Sequence, residues 1–489
     1  MLSAAGLGAG LLVTASLPPF GWWPLAVIGA AVLVGTLRAR PWPRRLLVGM
    51  AAGLGWLGPG LWWIVDFSAP GYVAATIVEA AIVALAMVAV PPGRGRLVAF
   101  PAALVLTGVV AGHWPFGGVP LAGIPLGQAA GPLAPAARLG GHLLLTALVG
   151  VSGAALAALA EWAGARRASG DRRVPARPAV AAVASLAAVV AVAVAGAAAP
   201  FGSSRGTLGV AAVQGGGERG LRAVSVDSDI VLAAQLAATT RVTLPVDLVL
   251  WPEDVVDVDG PLEGSEEERR VAEVAGATGA TLVAGIIEDV DPDRFRNAAV
   301  AWDPDGSRVA RYDKVRRVPF GEYIPFRSLI DQVADISAVP RDALAGSGAG
   351  ILRTPAGPLG VVISYEVFFA DRARAAVRAG GQVLLVPTNA SSFTTSQVPT
   401  QELAAARLRA LETARTVVQA APTGFTAVVD PRGRVVAHSD LGPAAVLQRT
   451  VTMRHGQTLA TRLGDGPLTV ASAVGVALGA LFYRRPEKT

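Results

Sequence analysis

The feature of this sequence that most restricts its fold is a series of apolar stretches. Seven lie within residues 1–199, near 3–17, 22–37, 46–67, 72–91, 97–112, 139–162 and 178–199, and an eighth runs over 467–483. A chain inside hydrocarbon must pair its backbone N–H and C=O groups within itself, which leaves helices or closed barrels. A spanning helix takes roughly 17–25 apolar residues. The first, second and fifth stretches are short for this and must borrow neighbours or sit where the bilayer thins. The first has neither the basic start nor a clear cleavage site of a signal peptide, so it reads as a span. Composition agrees: 52% of the residues are hydrophobic and 16% charged, outside the balance of an ordinary soluble domain. The prediction is a multi-pass α-helical membrane bundle of eight spans.

The connections alternate in charge. Arg38, Arg40, Arg44 and Arg45 follow the second stretch, and Arg94 and Arg96 the fourth. Arg166, Arg167, Arg172, Arg173 and Arg177 follow the sixth, and Arg484, Arg485 and Lys488 the eighth. The alternate connections 17–21, 67–71 and 113–137 hold no Lys or Arg, and Arg138, at the mouth of the sixth stretch, is the one basic residue beside them. Basic loops stay cytoplasmic, so both termini are expected inside and the segment between spans seven and eight on the outer face. These basic stretches carry more positive charge than the net +6 of the whole chain. The surplus therefore reflects topology, and no nucleic-acid partner is expected. Gly6 and Gly10 form a small-xxx-small pair suited to close helix packing.

Residues 200–460 read differently. Charged residues become frequent and strand and helix signals alternate. Candidate strands lie at 207–213, 248–251, 281–287, 298–302, 360–363, 383–387 and 426–429, and candidate helices at 228–241, 265–278, 370–379 and 398–416. That alternation predicts one α/β domain. The expected division is a seven-span bundle over 1–199, an extracytoplasmic α/β domain over 200–460, and an eighth span with a short cytoplasmic tail over 461–489. The chain has no cysteine, which excludes disulfides, thiolate metal sites and a cysteine nucleophile. No metal cluster is visible, and residues 346–350 are glycine-rich without the Lys-Ser/Thr of a nucleotide loop, so no cofactor is expected.

The run Gly360-Val-Val-Ile-Ser-Tyr-Glu-Val-Phe-Phe369 reads as a buried strand with Ser364, Tyr365 and Glu366 at its lip. A strand end is a favourable mount for chemistry, since the sheet holds the backbone while the tip stays reachable. Three further segments have the same character: Leu248-Val-Leu-Trp-Pro-Glu253, Tyr312-Asp-Lys314 followed by Val318-Pro-Phe-Gly-Glu-Tyr-Ile-Pro325, and Leu384-Leu-Val-Pro-Thr-Asn389. A strand-end Glu, a Lys and a hydroxyl suit acyl transfer: the carboxylate takes the nucleophile's proton and the ammonium stabilises the oxyanion. Each residue also has a plainer reading. Lys314 beside Asp313 is a surface ion pair, Glu322 caps its turn, and Glu366 bonds backbone N–H groups.

The pattern resembles the nitrilase superfamily with its Glu-Lys-Cys triad, and, with eight spans, the apolipoprotein N-acyltransferase family in particular. The pieces that carry the resemblance are Val210-Ala-Ala-Val-Gln-Gly215, Trp251-Pro-Glu253, Lys314 with Pro319-Phe-Gly-Glu322, Ser364-Tyr-Glu366, and Arg407-Leu-Arg-Ala-Leu-Glu412 leading to Pro422-Thr-Gly424. The resemblance implies a four-layer αββα sandwich on the outer face of a bacterial cell membrane. It implies Glu253 as general base, Lys314 as transition-state stabiliser and Ser364 at the place of the family's cysteine. Glu322, Tyr365, Glu366 and Asn389 are then supporting residues. The implied reaction is ping-pong. An acyl chain passes from a phospholipid to the nucleophile, then to the α-amino group of a diacylglyceryl-cysteine lipoprotein. Residues 326–350 resemble the family's lid loops.

Two departures stand out. Ser364 replaces a thiol, whose pKa of about 8.5 gives usable thiolate at neutral pH. A serine hydroxyl instead needs a placed base throughout attack. Ser364 also lacks a Gly-x-Ser-x-Gly setting. The second departure is Asn389-Ala-Ser-Ser-Phe393, where Ser392 takes the place of a family tryptophan. Ser364 is thus a working nucleophile, a laboratory replacement of a cysteine, or the mark of lost chemistry. In that last case the chain binds lipoproteins or scaffolds a membrane partner, of which a polyprenol-phosphate mannosyltransferase is the class the resemblance implies.

Overall fold

The computed structural model describes residues 2–66, 68–169, 174–217, 226–332, 336–337, 339–390 and 397–484. Ser392 and part of the 326–350 segment lie outside the described residues. The chain divides into two compact units, residues 1–199 with 462–489, and residues 200–461.

In the first unit each apolar stretch folds as a helix. They are α1 (Leu2–Ser16), α2 (Pro24–Thr36), α3 (Trp42–Gly60), α4 (Ala69–Ala89), α5 (Arg96–Ala111), α6 (Ala137–Ser169), α7 (Arg177–Ala198) and a closing helix, Gly466–Arg484. Three segments, Ala69–Ala89, Ala134–Ser169 and Arg177–Ala198, are long and apolar enough to cross a membrane by length and composition. Two stretches differ from expectation. The third ends at Gly60, one residue after Pro59, and continues as a separate 3-10 turn, Trp62–Asp66. The sixth loses helical geometry at Gly140 and Gly141. The Gly6/Gly10 pair faces α3: a Cβ would stand 2.6 Å from Val48 O at Gly6 and 2.0 Å from Ala52 O at Gly10. Only glycine allows the two helix backbones so close.

The second unit holds two sheets. In chain order the strands are β1 (Ser203–Gln214), β2 (Leu248–Leu250), β3 (Val256–Val258), β4 (Thr281–Asp291), β5 (Arg294–Trp302), β6 (Arg308–Asp313), β7 (Asp342–Ala343), β8 (Ile351–Thr354), β9 (Gly357–Val361), β10 (Val383–Pro387), β11 (Val417–Ala420), β12 (Ala427–Val429), β13 (Val435–His438) and β14 (Ala445–His455). One sheet runs β14-β1-β2-β4-β5-β6 and the other β13-β12-β11-β10-β9-β8. Their facing sides share one core, which includes Leu208, Leu250, Val283, Tyr312, Leu359, Ile363, Leu385 and Val418. The outer side of the first sheet packs on α8 (Ser228–Thr239) and α9 (Glu266–Thr278) through Trp251, Trp302, Leu232 and Val271. The second sheet packs on α10 (Ala370–Arg378) and α11 (Gln397–Thr413). The order of layers is helix, sheet, sheet, helix, the α/β sandwich expected.

Central strands are parallel, with Val210 beside Leu248, Leu248 beside Thr281, and Leu384 beside both Gly360 and Val417. Antiparallel β5 separates β4 from β6, so β6 runs with β4. Parallel strands end together, and their carboxyl ends are where such sheets mount ligands and chemistry.

Candidate active site

Glu253 lies three residues past β2, after Trp251 and Pro252. Gly285 on β4 donates its N–H to Pro252 O at 3.0 Å. A Cβ there would stand 2.4 Å from the Glu253 Cα, so glycine alone lets the turn seat against the sheet. Lys314 directly follows β6. Its ammonium donates to Glu253 Oε1 at 2.7 Å and to Glu322 Oε1 at 3.0 Å. Asn297 on β5 donates to the same two oxygens at 2.8 and 2.9 Å. Val318 N–H holds the other Glu322 oxygen at 2.7 Å. Lys314 is 2% exposed and Glu253 4% by side chain, which rules out a surface ion pair for Lys314. Asp313 pairs with Arg311 instead. Burial alone would weaken the hold of Lys314 on its proton, but the charges of Glu253 and Glu322 outweigh it and keep the ammonium above its ordinary value.

The strand before Ser364 ends earlier than the 360–363 expected from the sequence. β9 stops at Val361, and Ser364 opens a 3-10 turn, Ser364–Phe368, with φ of 47°. Positive φ is rare for serine and concentrates at functional turns. Asp254 and Phe320 share it, at 55° and 61°. The Ser364 hydroxyl has no hydrogen-bond partner among the described residues. No direct hydrogen bond joins it to Glu253 or Lys314.

Glu366 makes the link between the two sheets. It is fully buried and accepts from the backbone N–H of Ile363 at 2.9 Å, Val315 at 2.9 Å and Arg316 at 3.0 Å. Tyr312 Oη donates to it at 2.8 Å, and Arg372 lies at 3.6 Å. One carboxylate therefore ties the Ser364 turn to the segment that follows Lys314. Burial raises its carboxyl, against these donated bonds and the Arg372 charge. Tyr365 is buried with its ring edge-on to Phe369 at 5.1 Å.

Asn389, past the tip of β10, donates to Asp254 Oδ2 at 3.2 Å. Burial, reinforced by the adjacent Glu253 charge, holds the Asp254 carboxyl well above the usual range, against the pull of Lys314. Thr388 Oγ1 donates to Glu402 on α11, also fully buried. Sequence reasoning missed Asp254, Asn297, Tyr312 and Glu402. Only Asp254 carried a visible signal, a second acid beside a strand-end Glu. Among the described residues no group of His, Asp or Glu side chains is arranged to hold a metal, and the central carboxylates are bonded to Lys314.

The sequence matches the carbon-nitrogen hydrolase family over residues 209–460 and the apolipoprotein N-acyltransferase N-terminal domain over residues 9–155. The apolipoprotein N-acyltransferase of Mycolicibacterium smegmatis is 32% identical over 501 residues, covering 97% of this chain and 84% of that protein. That of Azotobacter vinelandii is 30% identical over 517 residues, covering 99% and 95%. Among solved structures, Nit3 of Saccharomyces cerevisiae, a member of branch 10 of the nitrilase superfamily, covers 52% of this chain and 92% of its own, at 21% identity and a TM-score of 0.40. On its two matched domains and on relatives aligned along nearly its whole length, the chain belongs to the apolipoprotein N-acyltransferase family.

Proposed function

We propose that this chain is a bacterial membrane enzyme that N-acylates lipoproteins, with Ser364 as the acyl carrier. Ser364 Oγ bonds to the carbonyl carbon of a phospholipid's fatty-acyl ester while its proton passes to Glu253. The Lys314 ammonium stabilises the oxyanion. The ester C–O bond breaks and the proton returns to the departing lysophospholipid oxygen. The uncharged α-amino group of a diacylglyceryl-cysteine lipoprotein then attacks the Ser364 ester. Its proton passes through Glu253 to Oγ, leaving an amide and the free serine. Glu322 and Asn297 hold the Glu253–Lys314 pair, and Glu366 holds the Ser364 turn to the Lys314 segment.

The observation that carries this reading is the buried array in which Lys314 bridges Glu253 and Glu322. A surface scaffold has no use for two charged carboxylates buried around one ammonium, since their desolvation stabilises nothing. The expected result is one acyl chain of added mass on the peptide containing Ser364 after incubation with phospholipid. No adduct, together with unchanged lipoprotein acylation in Ser364→Ala cells, refutes it. Ser364→Cys should raise the rate of adduct formation, since a thiol supplies thiolate near neutral pH.

The proposed topology has eight spans, both termini cytoplasmic and residues 200–460 outside. The charge alternation of the connections supports it. Because the chain lacks cysteine, single cysteines placed in connections 17–21 and 38–41 report sidedness directly. Labelling of the latter by an impermeant reagent in intact cells would contradict the assignment. A polyprenol-phosphate mannosyltransferase is the membrane partner to seek by co-purification.

A further inference from the structure

Glu402 has no part in the mechanism above, yet its setting is unusual. It is 3% exposed, on α11. One carboxyl oxygen accepts from Thr388 Oγ1, and the other is buried without a hydrogen bond among the described residues. Buried carboxyls that serve only structure are normally satisfied at both oxygens. Thr388 precedes Asn389, whose side chain bonds Asp254, the neighbour of Glu253. The tip of β10 therefore connects Glu402 to the base.

The charges that act on Glu402 come from Glu253, past β2, and Lys314, past β6. Other charged groups on the elements packed around α11 are engaged elsewhere or lie on its own helix. Glu366 is bonded by Tyr312 and backbone N–H groups, Arg372 by Tyr312 and Gly348 O, and Asp371 by Arg316. Arg374 and Arg378 lie on α10, with Arg378 bonded to Thr461 O. Arg409 and Glu412, farther along α11, pair with each other at 3.0 Å. Strands β11 and β12 carry no titratable side chain.

We propose that Glu402 is a positioning residue for acyl transfer, one whose negative charge, when present, drives the proton of Ser364 onto Glu253. Ionised, Glu402 repels the Glu253 carboxylate. That repulsion is relieved when Glu253 takes the Ser364 proton. Protonated, Glu402 offers no such relief. The proton that Glu402 gains or loses is exchanged with solvent, and no bond to it is made or broken in the reaction. A hydroxyl nucleophile benefits where a thiolate would not, because its proton must be removed during attack. Burial pushes the Glu402 carboxyl up to about 7, with the Thr388 hydrogen bond and the Lys314 charge opposing the rise and the Glu253 charge adding to it, so its charge changes within the working pH range.

The proposal rests on the acyl-enzyme reading and is tested apart from it. Full-length protein in phospholipid–detergent micelles is assayed for first-turnover acylation of Ser364 by intact mass, between roughly pH 5.5 and 8.5. The wild type should accelerate as pH rises through the Glu402 ionisation, by about tenfold for an interaction of one pKa unit. Glu402→Gln should be flat, matching the wild type at the acid end and falling about tenfold below it at the alkaline end. Thr388→Val removes the bond that opposes the rise, so the accelerating limb should move to higher pH. This variant decides the matter should Glu402→Gln fail to fold. A Glu402→Gln or Thr388→Val profile superimposable on that of an active wild type overturns the role of Glu402 alone. No adduct in the wild type overturns the acyl-enzyme reading, and this proposal with it.

Discussion

Replacing Lys314 with Met tests its part in the fold. The ammonium lies 2.7 Å from Glu253 and 3.0 Å from Glu322, with the three side chains 2%, 4% and 14% exposed. Methionine fills the space of the stem but leaves two buried carboxylates facing each other, bridged only by the Asn297 amide. Breaking a buried pair by removing one partner costs about 3–5 kcal/mol, because the remaining charge is uncompensated. For a domain of this size, each kcal/mol moves the melting point by roughly 2–4 °C, so Lys314→Met should melt on the order of 10 °C below the wild type. Glu253→Gln added to it removes one stranded charge and should restore at least about half of the loss, a coupling that contacting residues show and distant ones do not. The assay is thermal unfolding of purified protein in detergent at one scan rate, since unfolding of such a protein is irreversible and rate-dependent. A Lys314→Met melting point within about 2 °C of the wild type, or a double variant no better than the single, would refute the claim that this array is a buried, mutually compensated unit.

Three further outcomes follow from the same geometry. Glu366→Gln keeps the size of the side chain but turns an amide N–H₂ toward backbone donors, so it should lose about 2–4 kcal/mol in thermal melts and acylation with it. A melt like the wild type's would show that the backbone grip is not needed. Gly285→Ala pushes a methyl group into the Glu253 turn and should cut the acylation rate about a hundredfold by misplacing the proposed base, read by first-turnover mass analysis; an unaffected rate contradicts the seating argument. Asp254 keeps its proton in the fold to higher pH than in the unfolded chain, so its contribution to stability falls as pH rises above the ordinary carboxyl range. Asp254→Asn should therefore gain on the wild type as pH rises, and melts whose difference stays constant with pH would contradict this.

What was legible in the sequence follows from how far each signal depends on distant residues. Apolar stretches fold as helices because burial along one segment suffices to declare them. Central strands such as β4 and β10 were visible as unbroken apolar runs, since both of their faces are covered. Central β11, short β3 and β7, and the strands that end the two sheet paths, β6, β8, β13 and β14, were missed. Residues of the end strands, such as Arg308-Val-Ala-Arg-Tyr-Asp313, are charged or alternate with polar positions because one side of an edge meets solvent. At the site, strand ends pointed to Glu253 and Ser364, but the left-handed backbone of Ser364 is set by the turn that follows and has no glycine to announce it. Lys314 looked like half of a surface pair because the carboxylates that bury it lie 61 residues before it and 8 after it. Glu402 looked like any acid on a helix, and only packing under the β10 tip sets it apart.

The Glu366 clamp has an evolutionary corollary. It seizes main-chain amides at positions 315 and 316, and main-chain groups are the same whatever side chain they carry. Changes of side chain at those two positions therefore leave the bonds to Glu366 in place, although Val315 also packs on the shared core and Arg316 pairs with Asp371.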